Sequence, residues 1–530
     1  MKRLSLFIII AFVFFLTFLI YSPSFYAPFQ LDDYPVFVHN PIIQNLNNPA
    51  GIWRYDPSRF LTHMTLSLNF YNSGLNVLGY HMVNFLLHMF VACFVYFFIF
   101  LTVSRKEFEA KLTYGQRHLF SLTTALIFLT HPIQTSTVTY LAQRATLLAA
   151  LFYLIALVAY ILYRREDKIK FYVPAIMASI LGGFCKPIVV TLPLAICLYE
   201  VFFLSRRFIP SRKTMAGWIP FILSAFMIPC LLMLWKYRSL DMTRWEQVTF
   251  LTQDISRQEY LLTQFNVLAT YLRLILVPVD QNLDYDYPLA VNFFSFPTWA
   301  SFGVLTLFLI LGIRLKQKQP LISFGIFWFF FTLSLESSIF PMEDVIFEHR
   351  LYLPMVGLSI AMTMTIFSLI RHRVLRAAFI MTILLVWATM TYHRNIIWSD
   401  RFLFLKDALL KSPGKSRIYN SLGLAYAEHS FYAQALIAFN QAIVKDPNDL
   451  KPYNNRANVY RLKKKYDLAL KDYNRVLELD ANFAMGYFYR SLTLAALHDY
   501  QSAIQDAIKA KTLGYPYMDT YIAHLQGLTQ

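Results

Sequence analysis

Apolar residues come in long blocks, broken by short polar stretches, from the amino terminus to about residue 391. Blocks lie at Leu4–Tyr21, His81–Val103, in the run ending at His131-Pro132, and at Gln134–Tyr163 and Ala216–Trp235. Two shorter ones meet at Cys185-Lys186-Pro187, and others cover Phe296–Ile313, Leu321–Phe340, Leu351–Ile370 and Val374–Thr391. Most approach the roughly 20 residues a helix needs to cross a hydrocarbon core. The pattern predicts an all-α, polytopic helical bundle. Basic clusters at Arg105–Arg117, Arg164–Lys170, Ser205–Lys213, Arg314–Lys318 and Arg371–Arg376 set its orientation, because cytoplasmic loops carry the Lys/Arg excess. If every run crosses, there are twelve spans and the last two clusters lie outside. If Leu261–Val279 is re-entrant or interfacial, there are about eleven, both clusters lie inside and the carboxyl terminus is outside. The eleven-span reading follows the charge bias. It puts the first loop (about Ser22–Tyr80), His131, Lys186, the 340–350 loop and the carboxyl-terminal region on one face. Within the first loop, Pro57–Asn72 has the helical spacing of an interfacial segment.

From about Trp398 the pattern becomes amphipathic, with a period of 34 residues. Gly423, Tyr426, Ala435, Phe439, Ala442 and Pro447 are followed one period on by Ala457, Tyr460, Ala469 and Tyr473, and again by Ser491, Ala503 and Ala510. Small residues where two helices cross, aromatics where they stack and this period are the tetratricopeptide (TPR) pattern. The expected domains are therefore 1–397 in the membrane and a 398–530 TPR α-solenoid, with repeats at about 416–449, 450–483 and 484–517. A half-repeat, Asp400–Pro413, is expected to continue the last span as one helix, and a capping helix follows Tyr515.

Composition agrees: 57% of the 530 residues are hydrophobic and 15% charged, against about a quarter charged in soluble domains. The net charge of +17 would suggest nucleic acid in a soluble chain, but here it sits in loop clusters, so no nucleic-acid partner is expected. Cys93, Cys185, Cys197 and Cys230 lie in or beside apolar runs without metal-ligand spacing and imply no disulfide framework. The Met-Lys-Arg start resembles a signal peptide, but no small-x-small site follows, so the first run is expected to stay as a membrane helix.

Asp32 and Asp33 follow the first run. Adjacent acids beside a membrane are costly unless they sit at its wet edge with a function; the bland alternative is a solvated loop. Arg144, Lys186 and Arg350 sit at outer span ends, against the charge bias. Cations there imply an anion to meet, most simply a lipid-carrier phosphate; the alternatives are snorkelling to headgroups or pairing with Glu336, Glu343 or Asp344. A sugar leaving a phosphate needs cations for the departing charge and a carboxylate to take the acceptor's proton. The second carboxylate can orient the first or hold a divalent metal (Mg or Mn), for which Asp32 or Asp33 would be the ligand. There is no Gly-rich phosphate loop, which favours a lipid-linked donor. On the inner face of the TPR array, Arg417, Asn420, Lys451, Asn454, Asn458 and Arg461 could clamp a peptide or be ordinary solvated residues.

LDDYPVFVHNPIIQ (31–44), GYHMVNFLLH (79–88), HPIQTSTVTYLAQRATLLAALF (131–152), NLDYDYP (282–288), EHRLYLP (348–354) and the TPR array resemble, in their order, the GT-C glycosyltransferases. The resemblance is closer to the transmembrane-and-TPR O-mannosyltransferases (TMTC family) and their bacterial relatives. It implies a GT-C fold using a polyprenyl-phosphate sugar at the outer membrane face. Asp32 or Asp33 would be the acceptor-side carboxylate. Arg144, Lys186 and Arg350 would face the donor phosphate, with His81 and His131 as polar partners. Where relatives tend to have Ser-Lys-Glu, this chain has Cys185-Lys186-Pro187, so an acidic partner is missing there. Three functions follow: transfer to a protein hydroxyl with help from the TPR array, transfer to a lipid or glycan with the array as an assembly platform, or a non-enzymatic scaffold. The expected location is a bacterial inner membrane, with the first loop and TPR array periplasmic.

Overall fold

The computed structural model describes residues 2–109, 112–205, 211–226, 255–342 and 344–529. The second half of the run expected at Ala216–Trp235, the polar stretch up to residue 254, Cys230 and Glu343 lie outside the described residues. Among the described residues the chain is all helix, turn and loop. It divides into two compact units: residues 1–283 with 287–400, and residues 284–286 with 401–530.

In the first unit the longer helices are α1 (Lys2–Tyr21), α2 (Phe60–Ser73), α3 (Val77–Val103), α4 (Tyr114–Thr130), α5 (Arg144–Glu166), α6 (Ile169–Gly183), α7 (Leu192–Tyr199), α8 (Arg257–Leu276), α9 (Phe296–Leu315), α10 (Pro320–Leu333), α11 (Pro354–Leu369) and α12 (Arg373–Ser399). By length and composition, five helical segments among the described residues can cross a membrane: Val77–Val103, Leu141–Glu166, Pro187–Leu204, Phe296–Leu315 and Arg373–Ser399. Shorter apolar helices lie at Ala11–Tyr26, Ile169–Gly183, Thr214–Phe226, Pro320–Leu333 and Pro354–Leu369. The segment Leu141–Glu166 is central, 72% of its apolar window being buried, whereas Phe296–Leu315 is peripheral at 17%. α10 and α11 cross where Gly325 meets the Gly357 carbonyl, leaving no room for a Cβ; small residues let apolar helices approach this closely.

The run expected at Leu261–Val279 forms α8, one uninterrupted helix opened by a Ser256/Glu259 capping box. Its buried face includes Tyr260, Gln264, Val267, Tyr271 and Leu274, the stripe of an amphipathic helix. Along that face Tyr260 Oη donates to the Glu336 carbonyl at 2.8 Å, Gln264 Nε2 to Val345 at 3.0 Å and Tyr271 Oη to Phe347 at 2.9 Å. α8 therefore runs beside the 336–347 loop.

The second unit holds α13 (Arg401–Lys411), α14 (Ser416–Glu428), α15 (Tyr432–Lys445), α16 (Leu450–Leu462), α17 (Tyr466–Leu479), α18 (Ala484–Ala496), α19 (Tyr500–Thr512) and α20 (Met518–Leu528). Consecutive helices pair. The Gly423 position is filled by the Phe439 ring, Ala457 and Ala469 pack with Tyr473, and Ala503 and Ala507 pack with Leu525 of α20. The helix expected to run on from the last span does not. α12 ends at Ser399, Asp400 is extended (φ −120°, ψ 122°), and α13 starts at Arg401; an extended residue cannot carry the helical hydrogen-bond ladder.

Candidate functional site

The acidic pair sits on a constrained turn. Leu31 has φ +35°, a left-handed conformation that a γ-branched residue adopts only when the surrounding structure enforces it. The Asp33 N–H then returns to the Gln30 carbonyl at 2.8 Å. The Asp33 side chain is buried, and both its oxygens are used: Oδ2 accepts from the Gln30 N–H at 2.9 Å and Oδ1 from the Ala142 N–H at 2.7 Å. Those bonds favour the carboxylate, but burial outweighs them and, with the Asp32 charge alongside, pushes the Asp33 carboxyl up to about 8. Asp32 is half-buried. Its N–H donates to Tyr140 Oη at 2.9 Å and its carbonyl accepts from the Val36 N–H at 3.0 Å. The pair is thus tied to the 140–142 turn that leads into α5. Asp33 fastens the turn, and Asp32 is the more accessible carboxylate.

Arg144, two residues beyond Ala142, is fully buried at the start of α5. Its Nε donates to Asn84 Oδ1 at 2.9 Å, Nη1 to the Thr65 carbonyl at 3.1 Å and to Asn69 Oδ1, and Nη2 to the Tyr80 carbonyl at 3.0 Å. Neutral acceptors from α2 and α3 surround it, so its guanidinium pins these helices together. His131 is also spent: Nδ1 accepts from the Ile133 N–H at 3.1 Å and Nε2 reaches the Ile275 carbonyl at 2.9 Å. His81 holds the Ala27 carbonyl through Nε2 at 2.9 Å, and its Nδ1 has no partner among the described residues.

A second group gathers around Lys186. Its Nζ is 3.0 Å from Glu336 Oε1 and donates to Thr146 Oγ1 at 3.2 Å. Lys186 thus has an acidic partner in Glu336, which is distant in sequence. Lys186 is buried, and burial draws its ammonium below the ordinary range against the opposing pull of Glu336. Arg59 and Arg350 add positive charge to the same surroundings, and burial together with Lys186, Arg350 and Arg59 holds His349 well below the usual imidazole range. Arg350 is buried too, with Nη1 on the Val345 carbonyl at 3.1 Å and Nη2 on the Asp344 carbonyl at 2.8 Å. Two buried atoms here, Glu336 Oε2 and His349 Nδ1, have no partner among the described residues, and such groups are costly unless something meets them. His63 Nδ1 is a third, on α2, where burial lowers the imidazole to about 4.

α2 joins these groups. The Leu61 N–H donates to the Phe184 carbonyl at 3.1 Å, and Thr62 Oγ1 to the Cys185 carbonyl at 3.3 Å, beside Lys186. One turn on, Thr65 and Asn69 hold Arg144. The sequence singled out neither Arg59 nor His63 nor Tyr140. Arg59 carried the available signal, a base in the first loop, expected outside, against the charge bias. Among the described residues no three His, Cys, Asp or Glu side chains are grouped to share a metal ion.

In the second unit, Arg417 Nε pairs with Asp284 Oδ2 at 2.9 Å, and Lys415 Nζ lies 3.3 Å from Asp284 Oδ1. Arg417, expected in a peptide-binding groove, thus already holds a carboxylate of the chain. Asn420 Oδ1 accepts from Asn455 Nδ2 at 2.9 Å and Asn458 Oδ1 from Tyr473 Oη at 2.7 Å. Lys451 is exposed. Asn454 Oδ1 and Arg461 Nε have no partner among the described residues, and the Arg461 guanidinium lies 5.7 Å from the Tyr489 ring centre.

The tetratricopeptide repeat model matches residues 451–483. The chain is 25% identical over 412 residues to Protein O-mannosyl-transferase TMTC3 of Mus musculus, covering 71% of this chain and 43% of that protein. To Protein O-mannosyl-transferase F38B6.6 of Caenorhabditis elegans it is 23% identical, covering 77% and 58%. To human TMTC4, another Protein O-mannosyl-transferase, it is 30% identical over 166 residues, 28% of this chain and 22% of that protein. The chain spans less than half the length of the mouse relative. A solved structure, the first TPR of Spaghetti (RPAP3) bound to an HSP90 peptide, is 23% identical over 22% of this chain and 91% of its own, with a TM-score of 0.21. The chain thus has TMTC-like sequence similarity, a TPR region and membrane-type helices.

Proposed function

We propose that this protein is a GT-C-type membrane glycosyltransferase that moves a sugar from a polyprenyl-phosphate carrier to an acceptor hydroxyl at the outer membrane face. The observation that carries the reading is the division of labour in the acidic pair. Asp33 is locked by two backbone N–H groups on a strained turn, and Asp32 is left half-exposed beside it. A preorganised carboxylate of this kind suits an acceptor-side base. The similarity to O-mannosyltransferases supports this reaction class.

In the reaction, the acceptor oxygen attacks the anomeric carbon, the bond from that carbon to the carrier phosphate breaks, and the proton passes to Asp32. The departing phosphate takes up the negative charge, which the group of Lys186, Arg59, His349 and Arg350 is suited to stabilise. Arg144, His81 and His131 hold the scaffold. A divalent ion at the pair would draw on Asp32, since Asp33 keeps both oxygens on N–H groups, and no step is routed through one. The orientation of the basic loops supports an outward-facing site, in a bacterial inner membrane with the TPR array on the periplasmic side.

The acceptor is a protein hydroxyl engaged through the array. A lipid or glycan acceptor is the second reading, favoured by the pairing of Arg417 with Asp284. Full-length protein in nanodiscs, given a panel of polyprenyl-phosphate sugars with Ser/Thr peptides or glycans, tests both. Release of free carrier phosphate is expected with one acceptor class; no release with any donor removes the enzyme reading and leaves a TPR scaffold.

A further inference from the structure

A polar cavity lies far from the acidic pair, at the other end of α5. It has a volume of about 390 Å³, and its lining includes Tyr160, Tyr163, Arg164, Asp167, Ser211 and Thr214. Arg144 opens α5 and Arg164 stands in its last turn. At 1.5 Å per residue about 30 Å of helix separates them, the thickness of a hydrocarbon core. The cavity therefore lies at headgroup depth on the membrane face opposite the acidic pair. Its wall is tied down by hydrogen bonds. Glu200 is fully buried and accepts from Tyr160 Oη and from Arg164 Nε, each at 2.6 Å, and Trp218 Nε1 donates to Tyr160 Oη at 3.0 Å. Tyr172 Oη of α6 donates to the Gly217 carbonyl at 2.9 Å, and its ring centre lies 4.6 Å from that of Tyr163. Two charged groups of the lining keep unused hydrogen-bonding capacity. Arg164 gives Nε and Nη2 to Glu200, which leaves Nη1 without a partner among the described residues. The Asp167 carboxylate has neither a hydrogen bond nor an ion pair among the described residues. Asp167 is the left-handed residue that closes α5, at φ +53°, so the helix end fixes it one turn beyond Arg164. Ser211 Oγ and Thr214 Oγ1 lie 3.0 Å apart in the same lining.

We propose that this cavity binds the headgroup of a phosphatidylethanolamine-type lipid, with the ammonium on Asp167 and the phosphate on Arg164 Nη1 and the Ser211 and Thr214 hydroxyls. Glu200 already balances the Arg164 charge, so a bare anion gains little there and is repelled by Asp167. A ligand carrying both charges satisfies Arg164 and Asp167 together. A primary ammonium donates hydrogen bonds to a carboxylate; a quaternary choline has no N–H to give. The acyl chains meet an apolar surface alongside. Val173 and Met177 on α6, and Ile219 and Leu223 on the Thr214–Phe226 helix, are exposed one turn apart, and Ser179 and Ser224 bond the two helices at 2.8 Å. Arg165, Lys168 and Arg212, next in sequence to lining residues, are exposed and attract any anionic surface. Asp167 is what turns that attraction into selection. The proposal uses only the membrane-spanning reading of α5 and is independent of the sugar chemistry above.

The test takes the full chain in detergent, freed of co-purifying lipid. Phosphatidylethanolamine, phosphatidylcholine and phosphatidylglycerol of matched acyl chains are offered at equal concentration, and bound lipid is counted by native mass spectrometry. Wild type is expected to hold phosphatidylethanolamine about tenfold over either competitor, the scale of one charge-assisted pair. Asp167→Asn keeps the left-handed backbone, which Asn tolerates, and should bring that ratio to about one with Tm unchanged. Ser211→Ala should weaken the ethanolamine and choline lipids alike and leave their ratio standing. Glu166→Gln removes an acid that pairs with Lys168 outside the lining and should leave wild-type selection. Equal binding of the ethanolamine and choline lipids by wild type overturns the proposal. A preference for phosphatidylglycerol also overturns it and makes the site an ordinary basic patch. A loss of selection in Glu166→Gln as large as in Asp167→Asn overturns the cavity in favour of general surface charge. Displacement of the lipid by soluble glycerophosphoethanolamine at the same concentration overturns the lipid source and gives the cavity to a soluble zwitterion.

Discussion

The two units differ in how far they repeat one solution for a buried charge. In the helical array the solution is repeated: Arg456 forks onto both oxygens of Asp472 with Nη1 on Asn440, and 34 residues later Arg490 forks onto Asp506 with Nη1 on Asn474. Among the described residues of the membrane unit Arg164 forks once onto Glu200, and the other buried charges are each held differently. Arg144 is held by neutral carbonyl and amide oxygens, Lys186 by one acid, and Asp33 by two backbone N–H groups, with unpartnered atoms left on Glu336, His349 and His63. Repetition is what a solenoid needs to stack identical interfaces. Singular charges held one by one, and a strained turn carrying two acids, are what a site requires. The difference teaches where to look for chemistry: in the irregular unit.

Substitutions can break or sharpen that contrast. The largest stability effect is expected at Arg144, because Arg144→Leu strands Asn84 Oδ1 and the Thr65 and Tyr80 carbonyls, each buried acceptor costing about 1–3 kcal/mol. Loss of more than about 3 kcal/mol, read as failure to purify a monodisperse protein or a large fall in Tm, is the expected outcome. An Arg144→Leu protein as stable as wild type would remove the pin.

Next comes Asp33. Asp33→Ala orphans the Gln30 and Ala142 N–H groups and should cost about 2–4 kcal/mol. The pH dependence has a definite sign. The folded carboxyl is raised from 3.8 to about 8, so the folded state holds the proton more tightly than the unfolded chain. Its stabilisation is full below about pH 4 and is lost as pH rises toward about 8. The Tm difference between wild type and Asp33→Asn should therefore shrink over that window; a pH-independent difference would contradict the burial argument.

The smallest effects are expected in the array. Arg456→Ala and Arg490→Ala each leave one buried aspartate without its guanidinium and should cost about 1–3 kcal/mol apiece, near-additively. Urea unfolding of the two single variants and the double variant checks this. A loss several times larger from either would mean the repeated pairs are not interchangeable.

The array was the more legible half because its information is local. Small and aromatic residues at fixed offsets name the fold, and Gly423 meets Phe439 as the period requires. The acidic turn was visible as Asp32-Asp33, but not which acid does what. That depends on an Ala142 N–H brought from 109 residues away. The partners of the cations were only partly legible for a related reason. Bases against the charge bias pointed to an anion or to Glu336, Glu343 or Asp344; Lys186 does reach Glu336, while Arg144 finds neutral acceptors 60 to 79 residues off in sequence. Charge patterning along a chain can offer Glu336 as a candidate partner, but not the neutral carbonyl and amide acceptors that the fold brings to Arg144.

The most direct measurement compares Asp32→Asn with Asp33→Asn in the reconstituted full-length protein, following carrier-phosphate release and Tm together at fixed pH. The expected result is a split. Asp32→Asn loses about 100-fold or more in turnover with donor binding and Tm near wild type, and Asp33→Asn mainly loses stability. Full turnover by Asp32→Asn would contradict the assignment of Asp32 as the acceptor-side base, and with it the division of labour on which the proposed function rests.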